Sequence, residues 1–376
     1  MMKATGIVCE LNPMHKGHTY LVQEAKQNNQ AVVGVMSGPF VQRGEPAIMD
    51  KWDRARIAVN NGFDLIIELP QVYALQSAKW FAAGGIKTLS LIEGLDSLSF
   101  ASEIGWDFEK LTEYQKELDK LQANDENQLT AKSSLNQQHK ALTKISLPAN
   151  AKLGLEYLRA IREENLDWTI NVIQRQGATY HDESLKKEYP SATALRKLIK
   201  EKGIPAALPY LANGTKADDF PPLLPSIESL QVFTEVALIL KNLGLSQSAH
   251  FEPGMDYRLI EQIQQADSLE EAFQKASNKK HSISRYRRLL ITSMLGIDRV
   301  DQKPLESYIR PLAFNDIGRQ LLRQAKGPVI QKVNQTKLHG PLKDILEIDV
   351  KAQALYEWMS KQTAKRDYQP TFYYPQ

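Results

Sequence analysis

Two histidines bracket a glycine in the run Asn12-Pro13-Met14-His15-Lys16-Gly17-His18, directly after the apolar stretch Thr5–Leu11. At a turn from a strand into a helix, this arrangement suits transfer of an adenylyl group. A helix N-terminus turns unpaired backbone N–H groups and the positive end of its dipole towards phosphate. Gly17 lets the backbone approach that phosphate closely. His15 and His18 can then donate hydrogen bonds to a phosphorus centre whose charge grows in the transition state. An ordinary βα loop with one buried and one exposed histidine would read the same way; the place after the first strand favours the chemical reading.

A second group is Pro190-Ser191-Ala192-Thr193-Ala194-Leu195-Arg196-Lys197-Leu198-Ile199. Ser191 is a good N-cap, and Leu195, Leu198 and Ile199 form one apolar stripe. Ser191, Thr193 and Arg196 then stand near a helix start, where hydroxyls and a guanidinium can hold β- and γ-phosphates. By itself the segment also fits a plain capped surface helix. Other residues attract attention and lead nowhere. Trp358-Met359-Ser360-Lys361 resembles a synthetase KMSKS loop without its leading lysine, and reads as helix surface. His139, His250, His281 and His339 lack metal-ligand spacing, so no resident metal site is expected. Cys9, the single cysteine, sits inside an expected strand and reads as packing rather than nucleophile.

The elements that must position these groups alternate over the first 200 residues. Strands are expected at Thr5–Leu11, Ala31–Ser37, Phe63–Leu69, Ser97–Ala101 and Trp168–Arg175, with helices at Gly17–Gln27, Asp50–Asn60, Gln76–Ile92 and Leu153–Glu163. The alternation predicts an α/β fold with a Rossmann-like, doubly wound parallel sheet. Ligands bind such sheets at the carboxyl ends of the strands, where the winding reverses. Residues 105–144 are polar, with leucines at helical spacing, and read as a helical insertion. The segment Pro205–Pro225, dense in Pro, Gly, Asn and Asp, reads as a linker or long loop. Beyond it, Ile227–Leu243, Met255–Ala276 and Ser284–Leu295 predict a mainly helical C-terminal domain. The expected division is therefore 1–204, catalytic and nucleotide-binding with its insertion at about 105–150, and 205–376, helical and basic.

Length supports two domains, since 376 residues is more than twice the ~150 of a common domain. No apolar run approaches the ~18 residues of a membrane span, and the lone cysteine fits a reducing, cytoplasmic setting. The net charge of +3 is unevenly spread. From Ser277 to Lys343 fourteen Lys/Arg face four Asp/Glu, so that stretch carries +10 and the remainder −7. Such segregation can be a footprint for a polyanion, or merely a solvated face.

Taken with His15-x-Gly17-His18, the pattern Ser191-x-Thr193-x-x-Arg196 resembles the second motif of HIGH-type nucleotidyltransferases. The strings Gly6–His18, Ser37-Gly38-Pro39-Phe40-Val41-Gln42-Arg43-Gly44-Glu45-Pro46-Ala47, Phe100-Ala101-Ser102-Glu103, Leu147-Pro148-Ala149-Asn150 and Arg175-Gln176-Gly177-Ala178-Thr179-Tyr180-His181-Asp182 follow in order. Together with Ser284-Arg285-Tyr286-Arg287-Arg288 they resemble the bacterial tRNA(Met) cytidine acetate ligase family. The resemblance implies activation of acetate by ATP as acetyl-adenylate, then transfer of the acetyl group to N4 of the wobble cytidine of elongator tRNA(Met). It implies ATP contacts along the run Ile7, Val8, Cys9, Glu10, Leu11, Asn12, Pro13, Met14, His15, Lys16, Gly17, His18, Thr19 and Tyr20, and at Ala101, Asn150 and Arg175. Mg²⁺ is expected with the ATP, held mostly through phosphate. His15, His18 and Arg196 are the expected catalytic groups, and Arg285, Arg287 and Arg288 the expected tRNA contacts. The chain departs from the family pattern at Ala101, where glycine is usual, and at Ala149, where asparagine is usual. Two alternatives are a small-molecule adenylyltransferase of cofactor biosynthesis and a non-catalytic RNA-binding protein. The first needs only half this length, and the second has no use for intact His15, His18 and Arg196.

Overall fold

Runs of β-branched and small apolar residues form the middle of the molecule. In the computed structural model, which describes residues 3–28, 31–103, 112–113, 116, 148–175, 190–239, 243–298, 306–362, 366–369 and 372–375, they make one six-stranded sheet. Its strands are β1 (Ala4–Cys9), β2 (Ala31–Ser37), β3 (Leu65–Leu69), β4 (Leu95–Ser102), β5 (Thr169–Gln174) and β6 (Pro311–Phe314). The order is β5-β4-β1-β2-β3-β6. β2 and β3 are buried along their whole length, as continuous apolar strands covered on both faces must be.

Helices α1 (Lys16–Asn28), α2 (Lys51–Asn60), α3 (Gln71–Ala74), α4 (Ala78–Ser90), α5 (Ala149–Glu163) and α6 (Ala192–Lys202) punctuate the first half. The chain winds one way through β1, β2 and β3, then returns to the other side of β1 for β4 and β5. The switch point lies between β1 and β4, so a crevice opens beyond their carboxyl ends. Two cores flank the sheet, one around Leu65, Phe81, Leu98 and Tyr157, the other around Met36, Trp52, Phe63 and Leu195.

The doubly wound sheet is as the alternation predicted, with one correction. β6 comes from the C-terminal half and pairs antiparallel with β3. It is four residues long and begins with proline, which suits an edge strand and leaves no alternating pattern to read. The sheet therefore crosses the expected 204/205 boundary. The rest of that half is helical as expected: α7 (Gln231–Ile239), α8 (Met255–Gln265), α9 (Leu269–Ala276), α10 (Ile283–Leu295), α11 (Asp316–Leu322) and α12 (Pro341–Met359). The segment 205–225 is not a free spacer. Its Leu211 bridges His15, and the Ala212 N–H bonds the Met14 carbonyl at 3.1 Å. Trp358 is on the surface as expected, while Met359 and Ser360 beside it are buried. Near the end, Tyr373 docks as a bridge beside Ala313, its backbone bonded to Leu312 and Phe314. Most of the expected insertion at 105–150, and the run 176–182, lie outside the described residues.

Candidate active site

Arg54, fully buried on α2, fastens the loops that build the site. Its guanidinium donates to the carbonyls of Glu10 at 2.7 Å, Ser37 at 3.0 Å, Gly38 at 2.5 Å and Met49 at 3.0 Å. The carboxyl ends of β1 and β2 are thus held by one side chain, which gives their carbonyls a buried donor. Asn12 ties in the next loop by accepting the Ile48 N–H at 2.8 Å, and leaves its buried side-chain amide N–H without a partner.

Beyond these ends opens a cavity of about 1430 Å³, its open mouth included. Every residue from Ile7 to Asn12 lines it, as do His15, Gly17, His18, Tyr20, Ala101, Asn150, Arg175, Ser191, Thr193 and Arg196. Of the residues expected to contact ATP, Pro13, Met14, Lys16 and Thr19 stay off its wall. Met14 is buried in the core instead, and Lys16 opens α1 with its side chain exposed. Ala101 has no left-handed backbone, so a Cβ is accommodated where glycine is usual. Asn150 lies in the first turn of α5 and donates to Glu103 at 3.1 Å. Gly154, one turn on, lets α5 lie against Phe100; a Cβ there would come within 2.5 Å of the ring.

The two histidine rings lie 3.9 Å apart, centroid to centroid. The Gly17 N–H donates to His15 Nδ1 at 3.1 Å, and the His15 N–H donates to His18 Nδ1 at 3.3 Å. Both rings therefore keep Nδ1 as acceptor and carry their proton on Nε2. Burial, with His18 and Arg175 alongside, holds His15 well below the usual histidine range; burial and Arg175 push His18 down to about 3. Both are neutral donors at physiological pH. Arg196 joins the two motifs directly, donating to the Asn12 carbonyl at 2.8 Å, with Thr193 Oγ1 3.5 Å away. The Ser191 hydroxyl caps α6 by accepting the Ala194 N–H at 3.1 Å. Burial pushes the Cys9 thiol up to about 12, which leaves it protonated and inert, in keeping with its reading as packing. Burial also raises the Glu10 carboxyl, against the pull of the Gln42 N–H it accepts at 2.9 Å.

Val41, Gln42, Arg43 and Glu45 also line the cavity, as does Tyr157, whose buried hydroxyl has no partner. The string 37–47 carried part of the family resemblance in the sequence without a role of its own. Its position just past β2 was the available signal. Tyr157 carried none, because a tyrosine on an amphipathic helix reads as core.

The sequence profile of the HIGH Nucleotidyl Transferase family matches residues 2–370. A relative named tRNA(Met) cytidine acetate ligase from Limosilactobacillus reuteri is 35% identical over 375 residues, covering 95% of this chain and 96% of its own. Another of the same name, from Caldanaerobacter subterraneus subsp. tengcongensis, is 34% identical over 387 residues, covering 94% and 95%. The chain belongs to the tRNA(Met) cytidine acetate ligase family of HIGH nucleotidyl transferases. Apo crystals of Thermotoga maritima TmcAL superpose with a TM-score of 0.85 at 27% identity over 100% of both chains. A second crystal form of that protein, bound with alpha-thio ATP, superposes at 0.83 with 26% identity, again over 100% of both.

The residues expected to contact tRNA, Arg285, Arg287 and Arg288, each meet groups of this chain. Arg285 donates to the His250 carbonyl at 3.1 Å and pairs with Glu252 at 2.7 Å. Arg287 pairs with both Glu45 and Glu270. Arg288 donates to the Gln42 carbonyl at 2.9 Å, and burial lowers its pKa to about 10. Among the described residues, no three His, Cys, Asp or Glu gather to hold a metal, and no helix is long and apolar enough to cross a membrane.

Proposed function

We propose that this chain activates acetate with ATP as acetyl-adenylate and passes the acetyl group to N4 of the wobble cytidine of elongator tRNA(Met). The histidine pair carries the reading: two neutral rings, each with Nδ1 bonded to backbone and Nε2–H left as donor, line a cavity that Arg175 and Arg196 line as well.

Acetate is anionic at neutral pH and needs no base to attack the α-phosphorus. Its oxygen forms the new P–O bond while the bond to pyrophosphate breaks. His15 and His18 donate to the α-phosphate oxygens as charge builds there, and Arg196 with Thr193 holds the departing β- and γ-phosphates. Mg²⁺ would enter with ATP and neutralise part of the triphosphate charge; such an ion needs few protein ligands, and the carboxylate of Glu10 is at hand. In the second step the cytosine leaves its stack to present its amine. N4 attacks the acetyl carbon, AMP departs, and N4 sheds a proton. The same reading makes residues 205–376 the portion that carries the tRNA, through cations that remain exposed.

Incubation with ATP, labelled acetate and elongator tRNA(Met), followed by nucleoside mass spectrometry, should give labelled N4-acetylcytidine with one pyrophosphate released per acetyl group activated. Pyrophosphate release indifferent to acetate would point to a different acceptor for the adenylyl group and overturn the reading.

A further inference from the structure

At the phosphate end of the cavity, one carboxylate stands between two guanidiniums. Glu45 Oε2 lies 3.7 Å from Arg196 Nη2, while Glu45 Oε1 takes an N–H of Arg287. At 3.7 Å the first contact is an ion pair without a hydrogen bond, whereas the second is hydrogen-bonded. Arg287 belongs to α10 in the C-terminal half. It is itself pinned by Glu270, whose Oε2 accepts its Nε–H at 3.0 Å. The loop that carries Glu45 is seated on the same helix. Gly44 has a φ of +75°, and a Cβ there would come within 2.6 Å of the Arg288 backbone nitrogen. The Gln42 carbonyl accepts from Arg288 at 2.9 Å.

A carboxylate and a phosphate compete for the same planar fork on a guanidinium. If Glu45 engaged Arg196 fully, the β- and γ-phosphates would have to displace it. We propose that Arg287 is a positioning residue for ATP: it holds Glu45 back from Arg196, keeping the Arg196 fork available to the triphosphate. The proposal rests on Arg196 binding phosphate, as in the reading above, but not on the identity of the acid. It also gives the Glu270–Arg287–Glu45 chain a purpose beyond fastening, since it makes a nucleotide contact depend on α10.

The test is a double-mutant cycle on the full chain, read by calorimetric titration with ATP in the absence of acetate. Arg287→Ala should weaken ATP binding about 5–10-fold, because Glu45 is released onto Arg196. Glu45→Gln alone should bind ATP as tightly as the unaltered chain or more so. In the double variant E45Q/R287A, affinity should return to within about twofold of the unaltered chain. In steady state the Arg287→Ala defect should appear in KM for ATP rather than in kcat. A merely structural Arg287 gives no rescue: equal weakness of the single and double variants overturns the proposal, and so does unchanged affinity in Arg287→Ala. If Arg287→Ala does not fold, Glu45→Gln still decides, because weaker ATP binding in that variant would show that Glu45 helps the phosphates rather than competes with them. Failure of the unaltered chain to release pyrophosphate with acetate would count against the proposed function and leave this cycle intact.

Discussion

A neutral imidazole stabilises developing charge by donating a hydrogen bond, and it does so without taking up or giving up a proton. In the proposed function His15 and His18 serve that use, since backbone N–H groups occupy both Nδ1 atoms and burial keeps both rings uncharged. Replacing either by alanine should therefore lower kcat by ~10²-fold or more while changing ATP affinity little. The sign of the pH dependence follows. With the folded pKa of His18 at about 3 and that of His15 also well below the ordinary value, neither ring charges as pH falls from 8 to 6. The rate of acetate-dependent pyrophosphate release should show no rise over that interval. A rise towards pH 6 would mean that an imidazolium is the working form. Arg196 makes a different demand. One arm donates to the Asn12 carbonyl, and in the proposed reading the other meets phosphate, so Arg196→Lys should raise KM for ATP nearly as much as Arg196→Ala. Full rescue by lysine would reduce the contact to a point charge.

The loop after β1 and the helices α1 and α6 carry these groups, and the elements beneath hold them in place. Arg54 draws four carbonyls from the ends of β1 and β2 and the start of α2 onto one buried guanidinium. Arg54→Ala would leave those carbonyls unbonded in the interior and a cavity beside them. About 3 kcal/mol or more of stability should be lost, seen as a clear drop in Tm. Arg54→Met, which keeps much of the volume, should recover little, because the missing donors dominate the cost. Recovery to within a few degrees would show that filled volume matters more here than the hydrogen bonds. This role was not legible in the sequence, where Arg54 is one more cation on an amphipathic helix. The strands were legible, because β1 to β5 are apolar runs bounded by turn residues and their starts and stops differ from expectation by two residues or fewer. The motifs at their carboxyl ends were legible for the same reason: His15, Gly17 and His18 fall in the first turn after β1, and Ser191 caps the helix that delivers Arg196. Tyr157 and β6 were not. The first looks like core, and the second pairs across more than 240 residues of chain, a distance that no local pattern reports.

Over the whole molecule, charge was the least legible property, because counting cations along a chain says nothing of where their partners sit. The stretch of +10 contains Arg285, Arg287 and Arg288, which hold the C-terminal helices to the nucleotide loop and to Glu252 and Glu270. Arg310 in the same stretch is buried, pairing with Glu68 and Asp367, which also pair with Lys51. In the proposed function the RNA contacts include cations still in solvent, among them Lys332 and Lys337, exposed on either side of the turn Val333–Gln335. Changing both to alanine should cost little stability, as surface substitutions usually stay within about 0.5 kcal/mol. Affinity for tRNA should fall, and the slope of log affinity against log salt should become shallower by about 0.7–0.9 for each phosphate no longer neutralised. ATP binding should not change, since neither lysine lines the cavity. Changing Arg285, Arg287 and Arg288 together should behave in the opposite way, disturbing the nucleotide loop and hence ATP binding before any effect on RNA is read. Measured across a salt series, an intact slope in the Lys332/Lys337 double variant would remove this face from the tRNA surface. RNA binding would then pass to the polar residues 105–144, whose flanking residues Glu103 and Asn150 are bonded to each other beside the cavity.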